Sequence, residues 1–309
     1  MLREFTRRIR YFLWAARHWV HADRSCPACS STRTELVRRK LWVTALYRCE
    51  ECRLMFRMPK SDAIQNERFY QTQYHSGFTS ECPDDQELSR LKSTLFKGSI
   101  KDYTTYLSVL KAAGVQPGHV VLDFGASWGY GSWQFSQAGY RVYSYEVSEP
   151  RSRFAVQKLG CRMLSSAEAV PEKVDCFFAA HVIEHVTNPR TLWAIAEKVL
   201  KRSGVVILLA PNGEPSRERA HNHYHALWGQ VHPLLLTAES LRIMARQFGF
   251  EGCAHSSSYD TREIAARSSG QMEGDELLYI ARRIAEKNPA DTDSSTFSLN
   301  NREVAVDAE

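Results

Sequence analysis

The sequence lacks any apolar run near its start that could cross a bilayer. The longest, Tyr11 to Ala16, falls far short of the roughly 20 residues a spanning helix needs, and Arg17 and His18 follow it. No secretory signal is visible either, and the cysteines do not read as a disulfide framework. Of eight, four form two C-x-x-C pairs, while Cys82, Cys161, Cys176 and Cys253 are scattered. We expect a reducing, cytoplasmic setting. A strong net charge is missing as well: +5 over 309 residues excludes a chain built wholly as a nucleic-acid coat. Two nucleotide-binding signatures are absent. Gly125, Gly129 and Gly131 are spaced four and two apart, which is not G-x-G-x-x-G, and no Lys-Ser/Thr ends the glycine run as a P-loop would. What is present, 43% apolar and 24% charged residues, suits a soluble globular protein long enough for one catalytic core and a smaller module.

The charge is unevenly spread. Residues 1–60 hold 14 Lys/Arg against 5 Asp/Glu, a net of +9, so the remainder is mildly acidic. Residues 1–24 place Leu2, Phe5, Ile9, Phe12, Leu13 and Ala16 at helical spacing among arginines, which predicts a basic amphipathic helix. Such a helix packs on the body of the protein, touches the inner face of an anionic membrane through residues 1–20, or contacts RNA. In residues 25–60, Cys26-x-x-Cys29 and Cys49-x-x-Cys52 flank β-rich segments. Four thiolates in two turn-borne knuckles supply tetrahedral coordination suited to structural Zn²⁺, with no position left for water. Residues 61–118 read as a helical connector.

From 119 to 287 strand-like and helix-like segments alternate, which predicts a doubly wound α/β sheet. "CRMLSS" at 161–166 reads as its third strand, and Gly204 reads as the stop of the helix before "VVILLAPN". Residues 288–309 are polar and aperiodic, and we expect disorder there. The first strand runs into Asp123-Phe124-Gly125-Ala126-Ser127-Trp128-Gly129. Glycines at that point let backbone approach a ligand at the sheet's C-terminal edge. Glu146 lies at the tip of the next strand, 21 residues after Gly125, where a carboxylate can accept both hydroxyl hydrogens of a ribose. The pair implies an adenosine ligand with a free diol and a group other than phosphate at the turn.

These residues resemble the class I S-adenosylmethionine-dependent methyltransferases, whose first motif is D-x-G-x-G-x-G. Asp123, Gly125 and Gly129 match, and Ser127 replaces the middle glycine. "FFAAHVIEHVTNP" and "LKRSGVVILLAPN" resemble the family's fourth strand with its loop and the entry to its fifth. "YRCEECRLMFRMP" is similar to the zinc-ribbon preamble of a bacterial subgroup that modifies sugars, saccharide chains or small metabolites. The resemblance implies a Rossmann-like seven-stranded sheet, mostly parallel with an antiparallel last strand, preceded by a small zinc ribbon. It implies S-adenosylmethionine held by Asp123, Phe124, Gly125, Ala126, Ser127, Gly129, Glu146, Val147, Ser166, Ala180 and His181.

Methyl transfer asks for an acceptor held in line and, for a hydroxyl acceptor, a general base. The candidates are His181, His185, His225 and His232, the last two from a run that also holds His221 and His223. His181 to His185 also spell H-x-x-E-H, the ligand pattern of inverted zinc peptidases. That motif needs both histidines on one helical face, whereas this stretch directly follows a strand and Asn188-Pro189 soon opens a new helix. The "HNHYH" run has no carboxylate or cysteine spaced to complete a metal site. Three functions stay open: methylation of a small-molecule, sugar or saccharide acceptor; RNA methylation with the basic ribbon as grip; and a non-catalytic ribbon protein that binds a partner.

Overall fold

A computed structural model of the protein describes residues 12–19, 22–40, 42–60, 81–220, 228–229 and 232–284. Two sheets form its frame. The larger has six strands in the order β5-β4-β6-β7-β10-β9: β4 Val120–Phe124, β5 Arg141–Tyr145, β6 Val174–Ala180, β7 Leu200–Pro211, β9 Phe250–Ser256 and β10 Glu276–Arg283. β5, β4, β6 and β7 pair in parallel, and β10 runs antiparallel between β7 and β9. β4 and the middle of β7 are buried throughout, as strands covered on both faces by helices must be. The helix Arg190–Val199 shows the matching pattern: Leu192, Trp193, Ala196 and Val199 form its buried stripe. Thr237 opens the helix Ala238–Gln247 with a reciprocal capping box to Ser240.

Chain order reverses across β4, with β5 on one side and β6 on the other. The turns after β4 and β6 therefore meet at the C-terminal edge, where open α/β sheets bind ligands. The parallel sheet and the antiparallel last strand agree with the sequence reading, but the described residues form six strands rather than seven. The expected third strand at 161–166 is a single bridge, Met163 to Ser144. Ser144 donates its N–H to the Arg162 carbonyl and accepts from the Leu164 N–H. Only Met163 and Leu164 bring apolar surface there, too little to extend an edge strand. Gly204 does not end a helix. The helix stops at Val199, and Gly204 lies inside β7, against the Val174 carbonyl where β6 and β7 shift register.

The smaller sheet is antiparallel, in the order β1-β2-β3-β8: β1 Thr34–Lys40, β2 Thr44–Cys49, β3 Met55–Met58 and β8 Leu234–Leu235. Its fourth strand thus comes from the far side of β7. The Arg57 N–H donates to the Pro233 carbonyl at 2.8 Å, just before β8 begins. Residues 12–19 are helical, with Phe12 and Leu13 exposed, Ala15 buried, and Trp19 Nε1 donating to the Val43 carbonyl at 2.6 Å. Residues 1–11 of the expected basic helix, 61–80 of the connector and the tail from 285 lie outside the described residues. The described part of the connector holds helices Asp85–Ser93 and Thr104–Ala112. No described helix is long and apolar enough to cross a membrane.

One hydrophobic cluster runs through both sheets. Ala45, Phe56 and Met58 of the smaller sheet share it with Phe177, Leu208 and Leu236 of the larger part. Both sheets are therefore expected to melt together. Calorimetry should show one cooperative transition, and Phe56→Ala should lower that same transition by roughly 3–5 kcal/mol of stability. Two separable transitions, with only one displaced by the substitution, would contradict the shared core.

Candidate active site

The turn after β4 is built from close approaches. Gly125 and Gly129 have φ of 84° and 87°, in the left-handed region that favours glycine. A Cβ on Gly125 would lie 2.3 Å from Val182 Cγ2, and one on Gly129 would lie 2.8 Å from Ala155 Cβ and Cys161 Sγ. The Gly125 and Ala126 N–H groups both donate to the Tyr145 carbonyl, at 2.8 and 3.0 Å, which ties the turn to the tip of β5. Phe124 and Ala126 are buried and Ser127 is half-buried.

Below the turn, buried Asp123 accepts from the Ser132 hydroxyl at 2.5 Å, and Ser132 accepts from Ser144 at 2.8 Å. Burial pushes the Asp123 carboxyl up to about 6, with Glu146 adding to the rise and the Ser132 hydroxyl opposing it. Glu146, half-buried, accepts N–H bonds from Ser148 at 2.8 Å and Ser127 at 2.9 Å, one on each oxygen. Burial raises its affinity for a proton, while those N–H groups and Arg151 oppose that rise. Each oxygen keeps a second lone pair, as a carboxylate that takes two hydroxyl hydrogens requires. Val147 and Ser166 are exposed near the same strand end, and Ala180 is half-buried at the tip of β6.

The turn after β6 completes the edge. His181 has φ of 55° and receives its direction from that kink. Its Nε2 lies 2.6 Å from Glu276 Oε2, and its Nδ1 lies 3.3 Å from Glu184 Oε1. Glu276 also accepts from the Tyr106 hydroxyl at 2.7 Å and from the Tyr259 hydroxyl. Burial and the nearby Glu276 carboxylate keep both phenols protonated and therefore donating. Burial works against a charged His181 ring, but Glu184 and Glu276 outweigh it and raise its pKa to about 10. His181 is thus a proton donor at neutral pH rather than a ready base. Tyr106, Tyr259 and Glu276 were not among the sequence candidates; they come from three separate segments, and no local pattern links them.

Glu184, His185 and His232 gather on the other side of His181. Their ligand-type atoms lie within 4.8 Å of one another, and the two imidazole centroids are 4.6 Å apart. His221, His223 and His225 lie outside the described residues. Trp128 is fully buried among Phe96, Tyr130 and Phe154, which makes it a packing residue.

Cys26, Cys29, Cys49 and Cys52 form a second cluster, also within 4.8 Å, with Cys26 to Cys52 at 3.4 Å and Cys29 to Cys49 at 3.5 Å between sulfurs. A thiol hydrogen bond from Cys52 draws Cys26 down to about 6, whereas burial pushes Cys29 up to about 11.

Residues 122–208 match the family model described as a methyltransferase domain. An uncharacterized methyltransferase of Geobacillus sp. (strain WCH70) is 27% identical over 39% of this chain and 65% of its own length. One of Mycobacterium leprae (strain Br4923) is 33% identical over 37% of this chain. The chain thus spans about two thirds and about half, 65% and 47%, of these curated relatives. Among solved structures, the magnesium protoporphyrin IX methyltransferase of Synechocystis PCC 6803 is 16% identical, with a TM-score of 0.47 over 72% of this chain and 100% of that one.

The ion pairs at His181 have a measurable consequence. A raised folded pKa contributes stability that is complete below the ordinary value of 6.5 and is lost as pH climbs toward about 10. The side chain is 46% exposed, so solvent screens the size of that contribution. In an NMR titration the His181 ring is expected to change charge well above 6.5, and Glu276→Gln should bring the midpoint down; a wild-type midpoint at 6.5 would refute the pairing. The matched segment runs from the strand below the glycine turn through the histidine turn into β7, and over that segment the chain is similar to methyltransferase domains.

Proposed function

We propose that the protein is an S-adenosylmethionine-dependent methyltransferase that acts on a small-molecule, sugar or saccharide acceptor. The observation that carries this reading is the Gly125–Gly129 turn tied to Tyr145, beside a Glu146 that retains acceptor capacity on both oxygens. Those residues fit the cofactor: Glu146 would take the ribose diol, and Phe124, Gly125, Ala126, Ser127 and Gly129 would line the turn, with Val147 and Ser166 nearby. When bound, the cofactor supplies an electrophilic methyl on a sulfonium. The chain's own task is then to hold the acceptor in line, exclude water and remove a proton. His181 and Ala180 border the cofactor edge, with His181 as a cationic donor fixed by Glu276. The proton is taken on the side of His185 and His232, with His225 a further candidate from the same insertion.

The four-cysteine cluster supports a structural Zn²⁺. Sulfur separations of 3.4 and 3.5 Å are close to the roughly 3.8 Å edge of a tetrahedron with bonds of about 2.3 Å. All four positions are filled by protein, so the metal there would hold the ribbon together and take no part in transfer.

A small acceptor is favoured over RNA because the ribbon's basic groups are largely engaged. Arg33 pairs with Glu50 and Glu51, Arg48 with Glu35, and Lys60 with Asp23; Arg57 is buried, and Lys40 reaches the Trp228 carbonyl. Arg38, Arg39 and Arg53 stay exposed among the described residues of that face, fewer cations than the roughly 6–10 phosphate contacts of a backbone-gripping surface. Peripheral attachment to an anionic membrane through residues 1–20 is compatible with exposed Phe12 and Leu13.

Two measurements test these assignments. Calorimetric titration should show S-adenosylmethionine binding, with Glu146→Ala weakening it by roughly tenfold to a hundredfold, the loss expected for charge-assisted hydrogen bonds to a diol. Binding that is absent, or indifferent to Glu146, would remove the methyltransferase reading. Cys49→Ser should lower bound zinc by one equivalent per chain and reduce the melting temperature; unchanged zinc content would remove the metal from the ribbon.

A further inference from the structure

Glu184 is 1% exposed, and neither of its carboxylate oxygens accepts a hydrogen bond. The nearest nitrogens, His181 Nδ1 at 3.3 Å and His185 Nε2 at 3.8 Å from Oε1, lie outside hydrogen-bond geometry. A desolvated carboxylate without hydrogen bonds needs compensating positive charge, and His181, which Glu276 shares, supplies only part of it. A proton shared among histidines is one partner; a metal ion is another that satisfies both the carboxylate and the imidazoles at once.

We propose that Glu184, His185 and His232 form a second metal site, distinct from the cysteine cluster, for a divalent transition-series cation such as Zn²⁺ or Mn²⁺. Three observations support it. The three ligand atoms lie within 4.8 Å of one another, which brackets the separation of neighbouring donors around such an ion. Two imidazoles and one carboxylate form a donor set that suits Zn²⁺ and its transition-series neighbours better than Mg²⁺ or Ca²⁺, and three protein ligands leave positions open. The third ligand is also held firmly in place: His232 sits directly before Pro233, whose carbonyl is fixed by Arg57 of the smaller sheet, and then β8 joins that sheet. The fold therefore brings a carboxylate from the β6 turn to a histidine of the β7–β8 insertion, across a sequence gap in which no spacing rule would have paired them. His181 is a positioning residue here. Glu276 holds its Nε2 side, and its Nδ1 flanks Glu184.

The role of the ion rests on the methyl-transfer reading, whereas the site itself rests on geometry alone. The turn that carries Glu184 and His185 touches the glycine turn through Val182. An ion there would lie at the acceptor face. Its open positions would bind the acceptor oxygen and lower that oxygen's pKa, so its proton would pass to a water as the oxygen takes the methyl and the C–S electron pair returns to the cofactor sulfur; with the ion bound His185 and His232 would be ligands, and they would take the proton only without it.

The test uses the full chain. Metal analysis of the protein as purified, followed by Mn²⁺ titration read by electron paramagnetic resonance, should account for two ions per chain: one retained by the cysteines and a second zinc or a bound Mn²⁺. His232→Ala and Glu184→Gln should each weaken the second site by at least about tenfold while the cysteine-bound zinc stays. Loss of fold in Glu184→Gln would leave His232→Ala to decide, because that side chain lies in a loop. A total of one ion with no Mn²⁺ bound, or a second site untouched by His232→Ala, would overturn the proposal. Titration with S-adenosylmethionine on the same samples separates the two readings: cofactor binding without a second ion sinks the metal site alone, and a second ion without cofactor binding sinks the methyltransferase reading alone.

Discussion

Val182 occupies the space that a side chain at position 125 would need, with a notional Cβ only 2.3 Å from its Cγ2. That one contact joins the turn after β4 to the turn after β6, and most of the site depends on it. It requires glycine twice over, for space and for a φ of 84°. Through it, the ligand edge made by Asp123, the glycine turn and Glu146 stands against the face made by His181, Glu184 and His185. The parallel pairing of β4 with β6 brings the two turns close, and the missing side chain lets them touch.

The smaller sheet takes part in this arrangement. β8 is only two residues long, yet it closes the four-stranded sheet and carries the insertion that holds His232. The cysteine-knuckle module and the segment that carries His232 are therefore tied together, with Arg57 and Pro233 at the join. Whatever stabilises the knuckles therefore also fixes the residue before β8.

The local signals were legible in the sequence and the distant ones were not. Asp123, Gly125, Gly129 and Glu146 could be read because strand, turn and strand tip are contiguous and each needs a particular residue type. The four cysteines could be read from spacing alone, and they converge as expected. Glu276, Tyr106 and Tyr259 could not, since a charged residue at the start of an apolar strand and two tyrosines in separate helical and loop segments have no common period. The third strand has only a short apolar pair to signal it, and the helix before β7 reads on through residues that belong to a strand, because Leu200 to Gly204 carry no β-branched or alternating pattern to mark the change. H-x-x-E-H was correctly placed after a strand, but its members diverge: His181 turns to Glu276, while Glu184 and His185 meet His232.

Methyl transfer to a small acceptor at this edge is a proposal with a direct test. The most direct measurement is transfer of labelled methyl from S-adenosylmethionine by the purified chain into cell extract separated into small-metabolite, saccharide, lipid and RNA fractions. Label is expected in the metabolite or saccharide fraction, and none there with the Glu146→Ala protein. Label confined to RNA, or equal label with and without Glu146, would contradict it.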